Sequence, residues 1–353
     1  YEYNDMKVNM FDTPGYLDFH GEVKSAVRVS DCVLNVVSAS DGNAIGNDLV
    51  WEYTSKEFDR PMMISINMCD REQSNFESVL ESLKENVGRY VFPLMLPVNE
   101  GEGFNKVVDI LNKKIHTYNN DSSGVYQESE ISDDLIEKIN TLYDELIELI
   151  AESDEKLLEK YFENGELSKD DVSTGMKNAI MNRSLIPVFC TSGNQNIGVV
   201  SMMNMVSAFC PTSDCTKDPD ASGLSAFVFK TISQEHVGEI SYFRVFSGNI
   251  NTGDDVSNTL KNDTEKMRQI FIACGNEREE ISKVISGDVG CTLKLKNTST
   301  CDTLCSPKDS VKLKPIIFPG SNMSFAIESK SSGDEDKMAT ALSMMTHQDP
   351  TFN

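Results

Sequence analysis

Met6-Lys7-Val8-Asn9-Met10-Phe11-Asp12-Thr13-Pro14-Gly15-Tyr16 reads as a β-rich run over 6–12 that ends in a carboxylate and a tight turn. A carboxylate at a strand end can hold a magnesium ion through water, and a glycine three positions on lets a backbone N–H approach a phosphate. The bland reading is a generic D-x-P-G turn, which the same residues also make well. The rest of the first half bears on that choice. Runs of the same β-rich character recur at 32–39, 61–67 and 185–190, and helical spacing appears at 23–30, 47–58 and 76–87. Strands alternating with helices predict a mostly parallel sheet covered on both faces, with ligands beyond the C-terminal strand ends. The short motifs at 12–16, 67–70 and 191–193 fall in those loops.

Leu135, Ile139, Leu142, Leu146 and Leu149 make one apolar stripe, which predicts a helix over 131–163 with carboxylates on its other faces. Ser168 followed by Asp171 marks a further helix start. Together they predict a helical insertion at about 100–184, with the polar run at 119–124 as a loop on its edge. After a linker at 213–223 the pattern turns to β, with strands expected at 224–231, 238–247, 266–272 and 290–296. Many short strands separated by Gly, Asp and Ser turns indicate a closed or nearly closed barrel over 224–330. Residues 334–346 read as a short helix that opens a further domain at 331–353.

The bulk numbers fit this picture and remove other classes. The 353 residues suffice for two or three domains, and 39% hydrophobic with 25% charged residues is an ordinary globular composition. No apolar run approaches the roughly 20 residues that span a bilayer, and no basic-then-apolar leader opens the chain. The nine cysteines include no C-x-x-C pair, and the four histidines lie far from the close cysteine pairs, so reduced buried thiols are expected rather than zinc. A net charge of −24 argues against coating nucleic acid through overall charge. Half of that charge sits between Glu128 and Asp171, with 16 acidic and 4 basic residues, while 222–305 carries 11 acidic and 9 basic. Taken alone, the acidic stretch is a solvated helical face.

Asp12-Thr-Pro-Gly-Tyr-Leu-Asp-Phe-His-Gly-Glu-Val, then Arg28-Val-Ser-Asp, resembles the switch II region of translational GTPases, above all elongation factor G. Asn67-Met-Cys-Asp70 resembles the guanine-reading N-K-x-D motif, and Cys190-Thr-Ser-Gly-Asn-Gln-Asn-Ile-Gly-Val199 the loop that closes over the base. Glu159-Lys-Tyr-Phe-Glu-Asn-Gly looks like that family's insertion. Val237-Gly-Glu-Ile-Ser-Tyr-Phe-Arg-Val-Phe-Ser-Gly248 and Gly287-Asp-Val-Gly290 resemble its second, barrel domain, and Asp349-Pro-Thr-Phe352 its third. The resemblance implies an incomplete P-loop-type α/β GTPase domain over 1–212, followed by an all-β translation-factor barrel. It implies GTP or GDP with Mg2+ in the full-length protein, Asp12 holding magnesium through water and Gly15 touching the γ-phosphate. Asp70 would take both guanine N–H groups, a bidentate arrangement that discriminates against adenine. Asn67 would tether the loop, and Ser192 and Gly193 would supply backbone contacts to the base. Standing alone, Asn67 and Asp70 would read as a capped helix start. The implied partners are ribosomal RNA and stalk proteins of the ribosome, with tRNA and mRNA met indirectly, by a monomeric cytoplasmic protein without a membrane. Arg244, Lys266 and Arg268 are candidate RNA contacts, although exposed strand cations are common.

Three departures qualify that expectation. No G-x-x-x-x-G-K-[ST] occurs, and the family places it before Tyr1, so this chain alone is expected to bind nucleotide poorly or not at all. Tyr16 stands at the family's catalytic histidine position, and a phenol is a poor proton acceptor from water at neutral pH. Met68 replaces the lysine of N-K-x-D and keeps an alkyl stem without the charge. Two alternatives follow: a ribosome-binding factor with impaired or no GTPase activity, and a tetracycline-resistance-type ribosomal protection protein. The long acidic insertion argues against the latter.

Overall fold

The computed structural model describes residues 1–42, 44–214, 223–234, 236–320, 323–331 and 333–352, so most of the predicted linker lies outside the described residues. Two compact units emerge, one of 1–8 with 31–211, the other of 9–30 with 212–353. The chain opens with a two-stranded hairpin, β1 (Glu2–Tyr3) and β2 (Met6–Lys7). The β run expected over 6–12 is therefore mostly coil. A strand needs a neighbour to satisfy its backbone groups, and no described strand pairs with 8–12. Helix α1 (His20–Val29) follows and belongs to the second unit.

The first unit is built on a parallel sheet. Strands β3 (Val33–Ser38), β4 (Met62–Asn67), β5 (Val91–Pro93) and β10 (Ile186–Cys190) lie in the order β3-β4-β10-β5. The two central strands are buried along almost their whole length, as expected where both faces are covered. Register is set by Ser38 opposite Asn67 and Cys190 opposite Ile66, which brings the C-terminal ends of β3, β4 and β10 level. Helix α2 (Ile45–Glu52) runs into a single π-helical turn, Tyr53–Glu57. Helix α3 (Phe76–Val87) buries Phe76, Val79, Leu80 and Leu83, one helical stripe. The side chain of Asn75 caps it by accepting from the Ser78 amide at 2.9 Å.

The insertion is not wholly helical. Strands β6 (Met95–Pro97), β7 (Lys106–Asp109), β8 (Lys114–Tyr118) and β9 (Tyr126–Glu130) form an antiparallel sheet in that order, and 119–124 is the β8–β9 turn. The helix expected over 131–163 is two helices, α4 (Ile136–Glu152) and α5 (Glu155–Asn164). The break has a cause: the Asp154 carboxylate accepts from the Lys156 and Leu157 amides and starts a new helix. Helix α6 (Lys169–Met181) begins at Ser168, whose hydroxyl accepts from the Asp171 amide as expected. Helix α7 (Val199–Phe209) follows β10.

The second unit is β-rich. Its eight-stranded antiparallel sheet uses β11 (Ser225–Gln234), β12 (Gly238–Ser247), β14 (Asp255–Asn258), β15 (Asp263–Lys266), β16 (Ile270–Cys274), β17 (Glu277–Ile281), β19 (Val289–Leu293) and β20 (Thr303–Cys305). A separate pair joins β13 (Asn249–Asn251) to β18 (Lys283–Ile285). Val228, Phe243, Val256, Ile270, Val284 and Leu304 all enter one buried cluster, so the strands share a single interior as a sheet curled on itself does. Helix α1 lies against β11: the Glu22 carboxylate accepts from Lys230 Nζ at 2.7 Å, and the Arg28 guanidinium sits 4.8 Å from the Phe227 ring centroid. Helix α8 (Glu335–Gln348) closes the described part. Among the described residues no helix is long and apolar enough to cross a membrane.

Candidate functional site

The ends of β4 and β10 carry the site. Asn67 is the last residue of β4, and its Oδ1 accepts from the Gly193 amide at 2.9 Å and from Thr191 Oγ1 at 3.1 Å. Thr191 shares a second hydrogen bond with Ser65 Oγ at 2.8 Å, and its backbone is paired twice, to Ile66 O at 2.9 Å and from Cys69 N at 3.1 Å. Two loops separated by more than 120 residues are thus stitched into one surface. Thr191 carries much of that stitching, and the sequence reading passed over it. Its position directly before Ser192 was the available signal.

Each loop is locally fixed. Met68 adopts a left-handed backbone at φ 67°, which a non-glycine residue rarely does, and this turns the chain sharply out of β4. Ser74 Oγ and the Gly101 amide both donate to Cys69 O, at 3.1 and 2.9 Å. Across the way, Ser192 and Ile197 exchange backbone hydrogen bonds at 2.9 and 3.0 Å, closing a small loop. Ser192 is fully buried, and its hydroxyl accepts from the Gln195 amide at 3.2 Å. Gly198 ends the loop at φ 75°, where a Cβ would stand 2.3 Å from Cys190 O, so only glycine fits. Beneath the loops, burial pushes the Cys69 thiol up to about 12 and raises that of Cys190 well above its ordinary value. Both are packing groups rather than nucleophiles.

What the site offers is a carboxylate. Asp70 is half-buried, and no described residue hydrogen-bonds its side chain. Two free carboxylate oxygens beside a wall of fixed backbone suit a planar partner with adjacent N–H donors, such as the guanine edge. An open groove of about 420 Å3 lies alongside, lined by Ser40, Asp41, Met68, Arg71, Glu72 and Gln73. Met68 is 39% exposed there, and its stem presents an apolar surface to that groove.

Asn67, Asp70, Ser192 and Gly193 are therefore brought together in the first unit. Asp12, Gly15 and Tyr16 belong to the second unit, on an exposed stretch that leads into α1. Tyr16 is 77% exposed. A side chain added at Gly15 would meet nothing within 4 Å, so the fold itself gives no steric reason for glycine at that position. Asp12 and Asp18 are the two exposed carboxylates of that stretch. Among the described residues no group of three His, Cys, Asp or Glu side chains gathers to hold a metal.

One expected RNA contact is corrected. Arg244 is only 2% exposed, donates to the Val29 carbonyl of α1 and lies 4.9 Å from the Phe246 ring centroid. Its guanidinium is committed to holding α1, which leaves it no surface for a phosphate. Arg268 is exposed, and Lys266 is exposed beside Asp255 at 3.4 Å.

Comparison with known proteins gives a consistent answer. Residues 1–212 match the model of the elongation factor Tu GTP-binding domain, 223–307 that of elongation factor G domain 2, and 318–353 that of elongation factor G domain III. A solved structure from Thermus thermophilus matches with a TM-score of 0.86 and 25% identity, over 96% of this chain and 50% of its own. The chain thus spans half the length of that protein. With the GTP-binding model covering more than half of the chain and two elongation factor G domains following in order, this chain belongs to the elongation factor G-like translational GTPases.

Proposed function

We propose that the intact protein is a ribosome-associated translation factor that couples a guanine nucleotide cycle to the movement of tRNA and mRNA. The observation that carries this reading is the free Asp70 carboxylate beside the loop that Asn67 ties to Gly193. Asp70 accepts from the two N–H groups of guanine, Asn67 holds the two loops in register, and Ser192 and Gly193 bound the base through their backbone. Asp12 holds magnesium through water, and Gly15 leaves space for a γ-phosphate oxygen to reach the backbone. Magnesium, when bound, supplies neutralising charge to the phosphates. Residues 1–212 act as the nucleotide domain with its insertion at about 100–184, 224–330 as the barrel, and 331–353 as the start of a third domain. The barrel meets ribosomal RNA with Lys266 and Arg268 among its surface cations, and the acidic helices of the insertion face the stalk proteins. The protein works as a cytoplasmic monomer.

Two residues favour a second reading, a ribosome-binding factor of the same family with slow or absent hydrolysis. Tyr16 supplies a phenol where a proton acceptor is needed, and Met68 removes a cation from the base site. Phosphate release by the intact protein, measured with and without ribosomes, separates the two. Ribosome-stimulated release supports the first. Binding without release, with release gained in Tyr16→His, supports the second. Titration of a labelled guanine nucleotide against the intact protein and Met68→Lys tests the base site, and equal affinities would show that the lost charge does not matter.

A further inference from the structure

The insertion touches the base-closing loop at separate points. Asn196, which holds a left-handed backbone at φ 54° within that loop, donates from Nδ2 to Ser122 O in the β8–β9 turn at 3.2 Å. Gly124 presses the same turn closer: at φ 74° a Cβ there would stand 2.7 Å from Asn196 Nδ2 and 2.9 Å from Val200 Cγ2. One turn into α7, Ser201 Oγ lies 2.7 Å from His116 Nδ1 and 2.5 Å from Tyr118 OH, both on β8. All three side chains are buried. His116 also stacks on Tyr126 of β9, with ring centroids 4.3 Å apart, and its Nε2 lies 3.6 Å from the Glu128 carboxylate. A neutral ring protonated on Nε2 fits this set: Nδ1 accepts from Ser201, and Tyr118 donates to the same hydroxyl.

The base-closing loop is therefore gripped on two sides. Asn67 holds it from the sheet, and the β8–β9 hairpin holds it from the insertion. The sheet tether is made at Gly193, and the insertion holds the loop at Asn196 and the start of α7, into which the loop runs, at Val200 and Ser201. We propose that the β8–β9 hairpin of the insertion is a brace on the base-closing loop, with Asn196 and Ser201 as positioning residues that set how long a guanine nucleotide stays bound. A load on the insertion would then reach the nucleotide through this hairpin. The proposal rests on the base-site reading given above and adds a residue-level route from the insertion to that site.

The test uses the full-length protein and GDP carrying an N-methylanthraniloyl fluorophore, chased by excess unlabelled GDP in a stopped-flow instrument. Asn196→Ala and Ser201→Ala should each release GDP about two- to tenfold faster, the range of one lost neutral hydrogen bond. Asn196→Asp keeps the size but loses the Nδ2 donor, so it should behave as Asn196→Ala does. Lys160→Ala, which cuts an exposed ion pair elsewhere in the insertion, should release at the wild-type rate. Asn196 is half-buried and its bond to Ser122 lies at the surface, so the unfolding midpoint of Asn196→Asp, which tolerates the left-handed backbone as Asn does, should match wild type while release changes. Wild-type release in both Asn196 variants would overturn the brace, as would faster release that simply tracks a lower unfolding midpoint. A wild-type protein that binds no labelled GDP would overturn the base-site reading itself, and the brace with it.

Discussion

Replacing Asn67 by alanine removes the side-chain acceptor that joins the two base-site loops. Two donors lose it, the Gly193 amide at 2.9 Å and Thr191 Oγ1 at 3.1 Å. Their fates differ. Thr191 is 1% exposed but keeps Ser65 Oγ at 2.8 Å, so its hydroxyl is not stranded. Gly193 lies at the surface, where water can replace the lost partner. Neither donor therefore incurs the full penalty of a buried orphan. The loss should be about 1–2 kcal/mol, from two neutral bonds at roughly 0.5–1.5 kcal/mol each less this relief. The deficit should stay local, because Thr191 N to Ile66 O and Cys69 N to Thr191 O still pin the strand end. Hydrogen exchange of the 192–197 amides is the assay, and protection there should fall by a factor of about 5–30 while β4 and β10 stay protected. Asn67→Asp keeps an oxygen at the accepting position and should retain most of that protection. Equal protection in Asn67→Ala and wild type would refute the tether, and equal loss in Asn67→Asp would show that the acceptor was not the operative atom.

Further expectations concern pH, packing and thiol chemistry. Burial lowers the basicity of His116 against the opposing pull of Asp109 and Glu128, with Tyr118, Tyr126 and Ser201 completing its surroundings. The unfolded chain therefore binds the extra proton more readily, and stability present above about pH 6.5 is lost as pH falls. Urea midpoints between about pH 7 and pH 5 should fall less steeply in His116→Gln, and an unchanged slope would exclude His116 as the source. In α6, a Cβ at Gly175 would stand 2.5 Å from Ile150 Cγ2 and 2.7 Å from Leu157 Cδ1, both on buried side chains. Gly175→Ala should therefore destabilise despite better helix propensity, since overpacking costs about 1–3 kcal/mol against a gain of about 1 kcal/mol. A raised urea midpoint would show that the helices separate easily. Among the described cysteines Cys274 is exposed while Cys69, Cys190 and Cys291 are buried with raised thiols. Brief alkylation of the folded protein should label Cys274 first, and early labelling of Cys69 would contradict the packing of the base site.

Motifs were the most legible part of the sequence. Asn67 ends β4 and Asp70, Ser192 and Gly193 lie just beyond β4 and β10, two strands rich in apolar residues whose register then places them side by side. The antiparallel part of the insertion was not legible for a related reason. Val107, Val108 and Asp109 are all buried in β7, so the run shows none of the alternation that marks a half-exposed strand. Helix α7 is apolar on several faces, which hides its period. The single helix expected at 131–163 fails at one residue: Asp154 caps a new start and outweighs the continuing stripe. Pairing cannot be read from a strand alone, and so the run at 6–12, apolar enough to be β, is largely coil.

The misreading of Arg244 is the instructive case, because it follows from where α1 sits. Alternation along β12 puts Phe243 and Val245 in the shared interior, and so Arg244 and Phe246 on the outer face. On an uncovered strand that face would be wet and Arg244 a fair RNA contact. Instead α1, more than 200 residues earlier in the chain, covers it: Arg28 lies 5.2 Å from the Phe246 ring centroid, Arg244 lies 4.9 Å from the same centroid, and both are buried. Lys24 and Arg28 donate to the carbonyls of Ile317 and Lys314, and Arg244 donates to that of Val29. Desolvating several cations is costly unless each keeps fixed acceptors, so this contact tolerates little sliding. Helix α1 is therefore an integral part of the β-rich unit, and the stretch from Asp12 to Phe19 that leads into it lies exposed on its surface.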